Sequence, residues 1–181
     1  MVEKREVLFT IGEVGEILGS KAEGDPRFHR TSVTGVSIDS RTVKESDATF
    51  RILIGPTPLV GPDRANKNDS YANKGFAYEG DEIRKFIGDQ KNMYVICGDR
   101  HWQYVSVDVK TRVREYACGP SSDAHAGGFD ESLRTPMHQY LRIKGGFLMV
   151  TVERTNGEPA ITFRHYGTDG KIHHEDRILH R

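Results

Sequence analysis

The sequence predicts an α+β fold, and three observations carry that expectation. Short apolar runs with strand-like alternation recur along most of the chain, only two stretches carry helical spacing, and polar, glycine-bearing segments separate them. At 181 residues the chain is long enough for one domain of moderate size, or for a small domain plus a fragment. No internal repeat or low-complexity tract interrupts this pattern.

Thr10-Ile11-Gly12-Glu13 reads as a capping box, with Thr10 as N-cap and Glu13 reaching back. Ile11, Val14, Ile17 and Leu18 extend it as one apolar stripe, and Gly19 is a natural stop. After a polar link to Arg30, Val33-Thr34-Gly35-Val36-Ser37-Ile38 alternates as a half-buried strand does, with Asp39-Ser40-Arg41 at its end. Phe50-Arg51-Ile52-Leu53-Ile54 is the next strand, broken by Gly55-Pro56-Thr57-Pro58. A polar loop over 61–75 follows, and loops of that length in compact domains are usually functional. Residues 82–87 form a short helix with Gly88 as its C-cap, and 92–97 form a strand. Residues 104–107 and 113–118 pair around a turn at Lys110-Thr111, and 121–136 are irregular. Two strands at 147–152 and 160–166 join through Thr155-Asn156-Gly157, and Asp169-Gly170 turns into a last strand near Ile172.

Lys and Arg number 26, as do Asp and Glu, so no global field draws the chain to nucleic acid or to an anionic membrane. No apolar run reaches membrane-spanning length, and the first residues lack a signal peptide's apolar core, which places the product in the cytoplasm. Cys97 and Cys118 lie in separate apolar runs and are expected reduced and buried.

The chemistry concentrates where the strand at 92–97 ends, in Gly98-Asp99-Arg100-His101-Trp102. Asp99 offers a hard carboxylate oxygen and His101 an imidazole nitrogen, a mixture suited to zinc, iron or manganese. Gly98 is expected to permit the sharp turn. Arg64 and Lys67 in the long loop offer electrostatic steering of a phosphate ester, and Trp102 is expected to pack rather than to bind substrate. His125 and His138 sit in polar loops, available to contact phosphate or simply solvated, and His173 and His174 with His180 read as a chelating group or an exposed strand edge.

From about residue 46 onward the chain resembles the alkaline phosphatase D family (PhoD-like metallophosphoesterases). The resemblance rests on Ile52-Leu53-Ile54-Gly55-Pro56-Thr57-Pro58 with Gly61-Pro62-Asp63-Arg64, on Gly80-Asp81-Glu82-Ile83-Arg84, and on Gly98-Asp99-Arg100-His101-Trp102-Gln103. Cys118-Gly119-Pro120, His125-Ala126-Gly127-Gly128 and Thr162-Phe163-Arg164-His165 extend it. It implies the C-terminal half of a layered β-sandwich with flanking helices, and hydrolysis of phosphomonoesters or phosphodiesters at a two-metal centre. Calcium, iron, zinc or manganese is the implied cofactor. By motif match Asp99 and His101 are implied metal ligands, with His101 also serving the leaving oxygen. Asp69, in Asp69-Ser70-Tyr71, resembles the family's Asp-x-Trp ligand, and Arg64 faces the substrate. The family's Asp-x-His, Gly-Asp-x-x-[Asp/Tyr] and Gly-Asn-[His/Asp] motifs do not precede Ile52. The expectation is a truncated or chimeric phosphatase of reduced or no activity, self-associating through exposed sheet edges. Members of the family are commonly exported.

Residues 1–45 resemble the start of a Mur ligase, closest to MurF or MurE, through the run Ser37-Ile38-Asp39-Ser40-Arg41. That resemblance implies a small helix-and-strand appendage in which Ser40 and Arg41 contact a uridine nucleotide. No P-loop follows, so ligase activity is excluded. The alternative to an enzyme is a non-catalytic module that binds phosphate or a uridine nucleotide. The two resemblances meet near 42–47 without a linker, as two joined coding segments would.

Overall fold

The computed structural model describes residues 50–180, apart from the side chain of residue 155, together with the backbone of 9–10 and 32–33. The chain divides into two units, Met1–Ser46 and Asp47–Arg181. In the first, β1 (Phe9–Thr10) pairs antiparallel with β2 (Ser32–Val33), with Phe9 opposite Val33. Thr10 thus carries the extended backbone that an N-cap also needs. The expected helix at 11–19, the rest of the strand at 33–38, and Ser40 and Arg41 lie outside the described residues.

The second unit is α+β, built on two sheets. Strands β3 (Arg51–Gly55), β4 (Met93–Cys97), β5 (Gln103–Val107), β6 (Arg114–Ala117) and β7 (His138–Arg142) form a mixed sheet of order β3-β4-β6-β5-β7. Its β3, β4 and β6 run parallel, and β5 is antiparallel to both β6 and β7. The remaining strands, β8 (Gly146–Thr155), β9 (Glu158–Gly167) and β10 (Ile172–Leu179), form an antiparallel meander.

The alternation of side chains along β4 and β6 assigns the two faces of the larger sheet. Val95 and Val113 pack with Leu59, Val60 and with Ile83 and Ile87 of helix α1 (Ala77–Gly88). Tyr94, Val105 and Tyr116 pack on the other side against Ile161 and Phe163 of β9. The Tyr116 and Phe163 rings stack with centroids 3.8 Å apart and planes 7° from parallel. Gln103 then stitches the sheets together, its amide donating to the Tyr166 carbonyl at 3.0 Å and its oxygen accepting from Arg142 at 3.0 Å.

Three expectations need correction. Helix α1 begins five residues earlier than its apolar stripe, and Gly88 is its last residue rather than its cap. Gly80 lies in its first half, at a place where a Cβ would stand 2.4 Å from the Tyr71 carbonyl and only glycine fits. His138 is buried in β7 instead of lying in a solvated loop, with its ring edge-on to Tyr104 and Phe129. His174 is half buried and stacks on Tyr140 at 4.6 Å instead of forming an exposed edge. Cys97 is buried, Cys118 is partly so, and both are free thiols.

Strand β3 is an edge of its sheet among the described residues. Its Ile52, Leu53 and Ile54 are apolar on both faces, the pattern of a strand buried on both sides of a parallel sheet. Yet all three are exposed, Ile54 to 75%.

Candidate functional site

The Asp99 turn sits where the parallel strands β3 and β4 end, the position at which open α/β sheets hold ligands. Gly98 donates its amide to the Gly55 carbonyl at 3.3 Å, which keeps the two strand ends in register one step past the sheet. Arg100 then donates its amide to the Gly98 carbonyl at 2.8 Å, closing a three-residue turn around Asp99. Asp99 has φ of 64°, a left-handed conformation that is rare and strained for a residue with a side chain. Sequence reasoning gave this turn to Gly98; the structure gives it to Asp99. A Cβ on Gly98 would meet only the Pro56 carbonyl, at 3.5 Å.

The turn drives Arg100 inward, so its side chain is only 2% exposed. Its guanidinium bonds Asp63 at 2.6 Å and Asp69 at 2.9 Å, and it also pairs with Asp99. Burial works against the Arg100 charge, but Asp63, Asp69 and Asp99 together raise its pKa above the ordinary arginine value. Desolvation pushes Asp69 upward, and Arg100 and Lys67 together outweigh it, holding that carboxyl below its usual range. Asp63, itself 1% exposed on its side chain, also accepts from the Arg64 amide at 2.7 Å.

Two further residues shape the long loop, and sequence reasoning singled out neither. Asn73 accepts at one oxygen from the Asp69 amide at 3.0 Å, the Ser70 amide at 3.1 Å and the Ser70 hydroxyl at 3.1 Å. Arg84 of α1 reaches over to the carbonyls of Leu59 and Tyr71, tying the helix to both loops. Nothing local marked them, since Asn73 sits in a polar loop; their burial in the structure is what requires their hydrogen bonds to be used.

A pocket of about 540 Å³ opens above this cluster, lined by Arg64, Lys67, Asp69, Asp99, His101 and His125 among others. The Arg64 guanidinium lies 5.2 Å from the centre of the Trp102 ring. Trp102 is buried against Phe129 with ring centroids 4.9 Å apart, so it supports Arg64 from below and is not a platform for substrate. The His101 carbonyl accepts from the Gly127 amide at 3.0 Å, which fixes the 124–128 segment as the pocket's far wall.

The structure therefore brings Asp69, Asp99, His101 and Arg64 to one pocket. It does not assemble the first three into a metal centre. No three His, Cys, Asp or Glu side chains among the described residues converge closely enough to hold a metal ion. The reason is physical: Asp69 and Asp99 both turn an oxygen to Arg100, so a guanidinium already stands between the carboxylates that a cation would need. The chain matches no protein-family model and no curated protein.

Proposed function

We propose that this chain is a phosphoester hydrolase of the alkaline phosphatase D type, and that the pocket over Arg100 receives the phosphate ester. The observation that supports this reading is the convergence of Arg64, Lys67 and two imidazoles around the Gly98–His101 turn at the carboxyl ends of β3 and β4. Arg64, oriented by Trp102 and Asp63, offers a planar fork to phosphate oxygens, and Lys67 adds a point charge. His101 is exposed in the same pocket, where it can exchange a proton with a leaving oxygen. The cofactor implied by the resemblance is a calcium, iron, zinc or manganese ion. With Arg100 seated among the carboxylates, the described residues as arranged do not fit that ion.

The test is hydrolysis of a chromogenic phosphodiester and monoester, with and without each of the four metals. Turnover that disappears in His101→Ala supports the enzyme, and absence of turnover under every condition rejects it.

One observation favours a second reading, a phosphate-binding module without catalysis. Three carboxylates, Asp63, Asp69 and Asp99, are balanced by Arg100, Arg64 and Lys67, and of these cations Arg64 and Lys67 are the ones exposed enough to turn toward an incoming anion. Saturable binding of inorganic phosphate without turnover selects this reading. The uridine-nucleotide site implied for Ser40 and Arg41 is tested apart from it, by titration with a uridine diphosphate sugar.

A further inference from the structure

A second cavity, of about 800 Å³, opens at the other end of β4, around the turn that precedes the strand. Lys91, Arg112, Arg114 and Arg177 line it with a single carboxylate, Asp176. That carboxylate is already in use: Arg114 pairs with it and the Tyr116 hydroxyl donates to it at 2.7 Å. Arg177 also approaches Glu153 at 4.0 Å on its outer side. Its apolar lining comes from both faces of the sheet, with Met93 on the side of α1 and Tyr94 and Ile178 on the side of β9.

The chain holds Arg112 at this cavity under strain. Arg112 has φ of 63°, a conformation in which the Cβ of an L-residue crowds the backbone. The surrounding turn over-determines it. One Asp108 oxygen accepts from the Lys110 amide at 3.1 Å, the Thr111 amide at 2.7 Å and the Thr111 hydroxyl at 2.8 Å, while the Asp108 carbonyl accepts from the Arg112 amide at 3.0 Å. Glycine would fill that position without strain, so an exposed arginine there is a side chain retained at a cost. Its neighbours Lys91 and Arg114 approach from two other stretches of chain, so the positive lining is not one run of sequence.

We infer that this cavity binds a small organic diphosphate of the nucleoside diphosphate class. Its guanidinium groups suit a multiply charged phosphate, and Ile178 with the His180 ring offers a wall for an apolar or aromatic body. The inference is independent of the pocket over Arg100, since the two cavities share no lining residue.

The experiment is calorimetric titration of the full chain with ADP, alongside pyrophosphate and adenosine. ADP is expected to bind saturably, more weakly as salt rises, and more tightly than pyrophosphate. Arg112→Gly is expected to weaken ADP at least tenfold without lowering the melting temperature, because glycine suits the left-handed backbone. A purely structural role for Arg112 would not separate binding from stability in that way. Lys91→Glu is expected to weaken ADP as well, and Lys85→Glu, at an exposed position of α1 that lines neither cavity, to leave it unchanged. Failure of ADP to bind at millimolar concentration, or an unchanged affinity in Arg112→Gly, would overturn the inference.

Discussion

The Tyr104 hydroxyl donates to the Glu115 carboxylate at 2.7 Å inside the larger sheet, and neither side chain reaches solvent. Burial raises the Tyr104 pKa well above the ordinary tyrosine value, helped by Cys97 and Glu115, so it remains a donor. The same carboxylate accepts three successive backbone amides, from Leu59 at 2.6 Å, Val60 at 3.0 Å and Gly61 at 3.0 Å. Such a run of amides makes a concave anion site, here filled by the protein's own glutamate. Gly61 closes it with φ of 70°, and a Cβ there would lie 2.8 Å from Ala72. Glu115 thereby anchors the loop that carries Asp63 and Arg64 to the pocket.

Glu115→Gln is expected to destabilise the second unit by about 3 kcal/mol, because the amide group brings donors into a place built only of donors. Urea unfolding measures the loss. Tyr104→Phe removes one of four bonds and is expected to cost about 1–2 kcal/mol. Amide exchange at Leu59, Val60 and Gly61 should accelerate in Glu115→Gln before global unfolding does. Unchanged exchange at all three would show that the loop is held by other contacts.

Burial lowers the His165 pKa to about 4, opposed by its bond to the Ala117 carbonyl and assisted by His174. The folded state therefore keeps this imidazole neutral while the unfolded chain protonates near pH 6.5. Its contribution to stability is complete above about pH 6.5 and is lost as the pH falls toward 4, because the unfolded state then binds the extra proton. The ceiling is about 3 kcal/mol, of which about 2 should be gone near pH 5. His138 and His174 are lowered chiefly by burial too, and act in the same direction. Urea midpoints across this range should fall less steeply in His165→Gln, which keeps a donor for Ala117 but does not titrate. Equal slopes would remove His165 as the cause.

Strands β8 and β9 were legible because their alternation is long and Asn156-Gly157 marks the turn between them. Strands β3, β4 and β6 were legible from apolar runs followed by glycine, but their parallel pairing was not. β7 was not: His138-Gln139-Tyr140-Leu141-Arg142 has little apolar alternation, and it is held at a sheet edge by pairing with β5 and by ring contacts. At the site, Asp99, His101, Asp69 and Arg64 were legible as chemistry-bearing residues. Arg100 was not, because its role depends on three aspartates separated from each other by up to thirty-six positions, a long-range arrangement that no local spacing encodes.

The assignment of the turn to Asp99 separates two neighbouring substitutions. Gly98→Ala is expected to cost less than about 1 kcal/mol, since its Cβ meets only an ordinary contact. Asp99→Ala is expected to cost about 1–2 kcal/mol through the left-handed backbone and the lost Arg100 pair. Thermal unfolding of the two variants side by side decides, and the reverse order would return the turn to Gly98.

The exposed apolar edge of β3 has a measurable consequence. Ile54 stands at 75% exposure on an edge that carries no charge between Arg51 and Gly55. A lysine at such a position blocks strand-to-strand association without disturbing a core. Ile54→Lys is therefore expected to reduce concentration-dependent light scattering while leaving the melting temperature within about 0.5 kcal/mol equivalent of the parent. Scattering that is unaffected would direct attention to the outer face of β8 instead, where Phe147 and Met149 are exposed.

Arg100 decides how the pocket treats a metal. Arg100→Met removes the guanidinium and leaves the buried Asp63 carboxylate with only the Arg64 amide, its 3.5 Å approach from Arg64 and a 3.5 Å contact with Asn73. The expected loss is about 3–5 kcal/mol, as for one partner withdrawn from a buried pair. The same change frees Asp69 and Asp99 for a divalent ion, so manganese should raise the melting temperature of Arg100→Met by more than it raises that of the parent. The direction carries the argument. If the parent gains more from manganese than the variant does, Arg100 moves aside when a cation enters, and the carboxylates with His101 form a metal site after all. If the variant gains more, the guanidinium is the pocket's resident cation, and phosphate binding without an added metal becomes the property to measure.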